Sequence, residues 1–286
     1  MKHFFLFILF ICCHGIIVAQ DKPAYKIFDS EGKEVKYEKM ITAVEKADVV
    51  FFGEQHNDPI SHWLELQVLK SLFEKDKSIA LAMEMFEADD QIVLNEYVKG
   101  VIEEKNLLSE AKVWSNYKTD YKPLVEFAKA NKLNVIASNI PRRYANLVYR
   151  KGISALDSLA ASKHWIAPLP IMIDLELPGY KSMISSMGGH GTTGSAENMA
   201  KSQAVKDATM AYFILKNRNG KVYHVNGSYH SQNGEGIIWY LKKAEPVLKT
   251  ATIHVTEQDQ LGSLNLENKK LADFIIVVPA DMTKTY

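Results

Sequence analysis

Four segments of the 286-residue chain carry side chains whose types and spacing suit chemistry. Gly53-Glu54-Gln55-His56-Asn57-Asp58 puts a carboxylate and an imidazole one residue apart, with His62 and Glu65 a turn apart just beyond. Glu84 and Glu87 flank Met85-Phe86, and Ser138-Asn139-Ile140-Pro141-Arg142-Arg143-Tyr144 offers two adjacent guanidinium groups. Asn226-Gly227-Ser228-Tyr229-His230 precedes Gly234 and Gly236. Carboxylate and imidazole together serve proton transfer or metal ligation, and paired arginines serve anions.

Each group also has a plainer use. Glu54 and His56 could cap a loop, His62 beside Trp63 could be a surface histidine, and Tyr229-His230 could be turn chemistry alone. Arg142 and Arg143 open an expected helix, where positive charge opposes the helix dipole; a bound anion relieves that, and so do ordinary ion pairs. Met183, Met187, His190 and Met199 offer soft sulfurs and an imidazole to a cofactor, yet irregular lobes also use methionine as filler.

Positioning these groups requires strands that end beside them. Short apolar runs at 47–52, 79–84, 133–137, 221–225, 251–255 and 274–278 read as buried strands alternating with helical patterns. That alternation predicts an α/β fold with a central, mostly parallel sheet flanked by helices. Asp58-Pro59 predicts a helix start, with Trp63, Leu66, Leu69 and Phe73 as its apolar face. A largely helical stretch is expected from Asp89 to Ala130, and a helix from about Gly236 to Lys243. Residues 152–217, broken by Pro168, Pro170, Pro178 and the glycines around His190, are expected to form a smaller helical lobe over the carboxyl edge of the sheet. In open α/β sheets ligands bind beyond the carboxyl ends of the strands. If the four polar strand ends are parallel neighbours, two carboxylates, two histidines and two arginines meet on one rim.

Composition narrows the function class. With 34 basic and 34 acidic residues and no concentrated basic stripe, a nucleic-acid partner is not expected. Met-Lys-His, then an unbroken apolar stretch from Phe4 to Cys13 and a small residue at Ala19, reads as a secretory signal peptide over 1–19, leaving one domain over 20–286. Cleavage after Ala19 removes Cys12 and Cys13, the only two cysteines, so neither a disulfide nor a thiolate ligand is expected in the mature chain. Lipidation at Cys12 or Cys13 is the alternative, but Leu9-Phe10-Ile11 lacks the small residue that usually precedes a lipoprotein cysteine.

Taken in order, Gly-Glu-x-His, Glu84, Asn-x-Pro-Arg and Gly-x-x-His resemble the ChaN-like haem-binding uptake proteins, in the superfamily that also holds Tiki, TraB and erythromycin esterase proteins. Gln203 and Asp207, beside Met199 and Met210, are similar to a further family stretch, and the resemblance runs from about Ala47 to Pro279. It implies an exported, periplasmic or outer-membrane-associated haem binder serving iron acquisition, working with outer-membrane haem transport components. Two copies sandwiching stacked haems would bury the flat ligand. Haem needs an apolar slot, an axial ligand and donors for two propionates. The family implies a tyrosine ligand, with Tyr180 first and Tyr144 and His190 as alternatives, Met183 beside Tyr180, and Arg142 with Arg143 on the propionates.

The other reading is a metal-dependent hydrolase or protease. Glu54, His56, Glu84 and His230 would hold Zn, Mn or Fe, or Glu54 and His56 would activate water with His230 as a further catalytic group. Under either reading, His56→Ala and His230→Ala are expected to leave the fold intact, as loop-end changes usually do.

Overall fold

Val49–Glu54 reads Val-Val-Phe-Phe-Gly-Glu with every residue buried, as in a strand covered on both faces. It belongs to a seven-stranded sheet in a computed structural model that describes residues 22–159, 161–187 and 193–286. The expected signal peptide, both cysteines and His190 lie outside the described residues. The strands are β1 (Lys26–Asp29), β2 (Val49–Glu54), β3 (Ala80–Glu87), β4 (Val135–Asn139), β5 (Val222–Gly227), β6 (Thr250–Gln258) and β7 (Phe274–Pro279). Their order is β1-β7-β6-β2-β5-β3-β4, and all neighbours are parallel except β1 with β7.

The mostly parallel α/β sheet is therefore as the alternation predicts, and β2, β5, β3 and β4 do lie side by side. β1 is the strand the sequence hides: four residues pairing antiparallel at the edge leave no buried run to read.

Helices cover both faces. α1 (Tyr37–Val44), α2 (Pro59–Lys75), α3 (Gln91–Val98), α4 (Glu104–Glu110) and α5 (Lys122–Ala130) enclose one core with Phe52, Leu81 and Tyr223. α8 (Thr193–Asn217) and α9 (Ile237–Ala244) enclose the other, where Met210, Ile214 and Leu241 meet Val49 and Phe51. α6 (Arg142–Lys151) packs on α8 through Ala145, Val148 and Val205, and α7 (Pro178–Met187) packs on it through Tyr180, Ala200 and Ala204.

The helical expectations hold in outline and need correction in detail. The Asp58 carboxylate does cap α2, accepting from the Ser61 amide at 2.6 Å with Pro59 in the first turn. However, the buried face of α2 is Ser61, His62, Leu64, Glu65, Val68, Leu69 and Leu72, while Trp63 is 49% exposed and lies against Tyr25. Leu66, Leu69 and Phe73 pack on the core as expected, but the helix also turns two ionisable residues inward and leaves Trp63 at its edge. The stretch 89–130 is largely helical as expected, with a break at Gly100, whose φ is +73°, and a π-turn over Tyr117–Tyr121 that carries Asp120 and Tyr121 to the carboxyl edge of the sheet. Within 152–217, single-turn helices and α7 fill the first part, while the second half of α8 covers the sheet itself.

Candidate functional site

The parallel register sets Glu54 opposite Gly227, so the loops leaving β2 and β5 emerge together. They open a cavity of about 390 Å³ at the carboxyl edge, walled by Trp114, Ile140, Met183 and Tyr229 and bordered by Arg142 and Lys206. Two carboxylate–imidazole clusters form its floor, one on each side of the β2–β5 seam.

The first belongs to β2 and α2. Glu54 is fully buried; its Oε1 meets His56 Nδ1 at 2.5 Å and accepts from the Tyr121 hydroxyl at 2.7 Å. Its Oε2 lies 3.3 Å from His62 Nδ1, which also lies 3.4 Å from the Glu65 carboxylate. His62 Nε2 is 3.0 Å from the His56 carbonyl and 3.4 Å from Asp120. Burial alone would raise the Glu54 pKa, but Glu65, His56 and His62 more than offset it and hold the carboxyl below its ordinary range. Burial and then the Glu54 charge push Glu65 well up. Burial would lower His56, yet Glu54 outweighs it and raises this imidazole.

The second cluster joins β3, β5, α7 and α8. Glu84 accepts from the Gly227 amide at 2.8 Å and lies 3.3 Å from His230 Nε2. His230 Nδ1 lies 2.6 Å from Asp207, which accepts from the Tyr180 hydroxyl at 2.6 Å. Burial disfavours an imidazolium here, but Glu84 and Asp207 overcome it and raise His230 to about 10. Burial would likewise raise Glu84, and His230 instead pulls it to about 2. Gly227 holds the two clusters close: a Cβ there would stand 2.7 Å from the His56 ring.

The sequence-derived residues fall into distinct places. His56, Glu54, Glu84, His230, Arg142 and Met183 line the cavity. Tyr180 is buried on Asp207 and does not line it, so ligation by its oxygen would have to break that bond. Tyr144 is also buried away from the lining, with Arg143 stacked on its ring and paired with Asp89 at 2.6 Å. The relief offered to Arg143 is therefore an ordinary ion pair. Arg142 is 72% exposed, with Glu87 at 3.9 Å as its carboxylate neighbour.

The four-residue metal set divides, because Glu54 and His56 belong to one cluster and Glu84 and His230 to the other. Among the described residues, the group of three or more such side chains whose ligand atoms lie within 4.8 Å of one another is Glu54, His62 and Glu65. Reading the sequence missed Asp120 and Tyr121, which only the π-turn delivers, and Trp114 and Lys206 as cavity walls. In the sequence Tyr229 stands out beside His230, but not as a wall or ligand.

An α/β sheet with an ionisable pocket at its carboxyl edge defines a ligand-binding class rather than one protein. The chain matches the family described as haem-binding uptake, Tiki superfamily, ChaN over residues 40–241, and it belongs to that family. Its fold is similar to ChaN of Campylobacter jejuni, a structure of cofacial haem binding, with TM-score 0.67 and 19% identity over 90% of this chain and 97% of that one. A Bacillus cereus protein aligns with TM-score 0.50 and 10% identity over 85% and 90% of the two chains. The chloroplastic protein RETICULATA-RELATED 5 of Arabidopsis thaliana is 29% identical over 134 residues, spanning 44% of this chain but 18% of the plant protein.

Proposed function

We propose that this chain is an exported haem-binding protein serving iron uptake, with haem in the cavity at the carboxyl ends of β2, β5, β3 and β4. The observation that carries this reading is the composition of that cavity in a member of a haem-binding uptake family. Trp114, Ile140 and Met183 give flat or deformable apolar walls, Arg142 and Lys206 give cations at the border, and Tyr229 presents a phenol. These residues fit what haem asks of a protein. Tyr229 is the tyrosine that lines the cavity, with its hydroxyl 4.0 Å from Met183 Sδ, and we assign it as axial ligand in preference to Tyr180. Arg142, whose carboxylate neighbour Glu87 stands off at 3.9 Å, suits a propionate better than Arg143, which is paired with Asp89 at 2.6 Å.

Tyr180 then works at one remove: its hydroxyl orients Asp207, which holds His230 against Glu84. The cavity is at the small end of ligand pockets, so a flat macrocycle would keep one face open for a second copy of the chain to cover. No described helix is long and apolar enough to cross a membrane, and delivery outside the cytoplasm rests on the leader at 1–19.

Haemin titration followed at the Soret band tests the reading. Wild-type protein gives a saturable shift; Tyr229→Phe abolishes the ligand-dependent band position, Arg142→Ala weakens binding roughly tenfold, and Tyr180→Phe keeps the band position. Absence of any saturable shift in the wild type defeats the haem reading. Loss of the band in Tyr180→Phe with retention in Tyr229→Phe restores Tyr180 as ligand. Sedimentation with and without haemin checks the second copy, and osmotic-shock fractionation checks export.

A further inference from the structure

Beneath the cavity, away from the groups assigned to haem, two buried carboxyl groups converge on one imidazole, each with one oxygen left without a hydrogen bond. Glu54 and Glu65 are 1% and 0% exposed, and among the described residues no lysine or arginine nitrogen pairs with either. Glu54 Oε2 and Glu65 Oε1 find no hydrogen-bond partner, although both point to the same small space beside His62 Nδ1. Two carboxyl groups this close and this deeply buried can coexist by sharing protons with each other and with His62, or both can ionise around a shared cation.

The spacing suggests what answers them. His62 Nδ1 stands 3.3 Å from Glu54 Oε2 and 3.4 Å from Glu65 Oε1, and the three ligand atoms lie within 4.8 Å of one another. Donors around a tetrahedral ion with bonds of about 2.0–2.1 Å are separated by about 3.3–3.4 Å. The histidine is also set for ligation: Nε2–H donates to the His56 carbonyl at 3.0 Å with Asp120 at 3.4 Å, so Nδ1, whose proton faces the two carboxylates in the metal-free protein, is the atom an ion would take over. Asp120 is fixed in turn by Asn116 at 2.7 Å and Thr285 at 2.9 Å. A carboxylate and a carbonyl behind a ligating imidazole are the usual second layer of such sites.

We propose that Glu54, His62 and Glu65 form a buried site for one divalent transition-metal ion of the Zn²⁺ type. The donor set of one imidazole and two carboxylates suits Zn²⁺, Mn²⁺ or Fe²⁺ and disfavours Cu⁺, which prefers sulfur. Glu54 bridges this site to the cavity, since its other oxygen holds His56 Nδ1 at 2.5 Å. The ion thereby fixes the His56 ring that packs against Gly227.

The test uses the whole mature protein, stripped with chelator, gel-filtered, and loaded with Zn²⁺ or Co²⁺ alone. The proposal expects one Zn²⁺ per chain by elemental analysis, a visible Co²⁺ band, and an X-ray absorption shell with a single imidazole. Glu65→Gln and His62→Gln each weaken Zn²⁺ binding by about 100-fold or more, while near-UV circular dichroism reports whether each variant is folded. No bound metal in the folded wild type overturns the site, as does a shell with two imidazoles, which would place the ion at His56 and His230. Haemin titration of the stripped wild type runs in parallel. A saturable Soret shift without metal binding sinks this site and keeps the haem reading, and the reverse result does the opposite.

Discussion

The two clusters under the cavity have nearly the same ingredients and opposite bookkeeping. On the β5 side, Tyr180, Asp207, His230 and Glu84 form one chain in which each side chain has a close partner, two carboxylates facing one imidazole with the Gly227 amide and the Tyr180 hydroxyl supplying the rest. On the β2 side, Glu54, Glu65 and His62 are equally buried and one imidazole nitrogen stands 3.3–3.4 Å from both carboxylates, yet one oxygen of each is left without a hydrogen bond. A satisfied network rigidifies a structure, whereas a partly satisfied one is costly and calls for a ligand. The comparison assigns architecture to the β5 side and binding to the β2 side.

The largest expected effect breaks the satisfied side. Asp207→Ala leaves an imidazole and a tyrosine hydroxyl buried without their acceptor, and urea unfolding is expected to show a loss of about 3–5 kcal/mol. Alkaline pH should act on the same cluster. The folded pKa of His230 is raised to about 10 from an ordinary 6.5, so its contribution is complete below pH 6.5 and disappears as pH rises toward 10. Stability measured across that window should fall in the wild type, and the slope should flatten in Asp207→Asn; an unchanged slope would detach His230 from Asp207. Gly227→Ala pushes a methyl to 2.7 Å from the His56 ring, costs about 1–3 kcal/mol, and lowers ligand affinity at the cavity. His56→Ala is the mildest, below about 1 kcal/mol, because its side chain is 39% exposed and lies at a loop end.

The contrast between the two clusters revises one expectation from sequence. His56 and His230 look alike as loop-end histidines, each three residues after a glycine. The structure buries His230 between two carboxylates and leaves His56 partly in solvent, so replacement of His230 is expected to cost stability and replacement of His56 is not.

Acid should act elsewhere. Full burial pushes His224 down to about 4, where it sits as a neutral ring 2.9 Å from Asn226 and 3.0 Å from Ser138. The unfolded chain takes up this proton first, so the stability His224 supports is intact above pH 6.5 and is lost as pH falls toward 4.

The legible part of this protein was its strand ends. Apolar runs terminating in Gly-Glu-x-His, Glu84, Asn-x-Pro-Arg and Gly-x-x-His can be found by reading along the chain, and strand neighbours then place them on one rim. The faces of helices were less legible. Trp63 suggested the wrong flank of α2, while His62 and Glu65 turn inward because Glu54 on β2 and Asp120 on the π-turn meet His62 there. Tyr180 looked like a ligand from its setting among methionines, and α8 instead presents Asp207 to its hydroxyl.

By itself, the sequence determined the strand-helix alternation, the mostly parallel sheet and the family, because burial on both faces leaves continuous apolar runs and the motifs follow at their ends. Only the tertiary structure decided which carboxylates are paired and which are left unanswered. Pairing depends on contacts between residues more than a hundred positions apart, such as Gly227 with Glu84, and on a π-turn that periodicity does not announce.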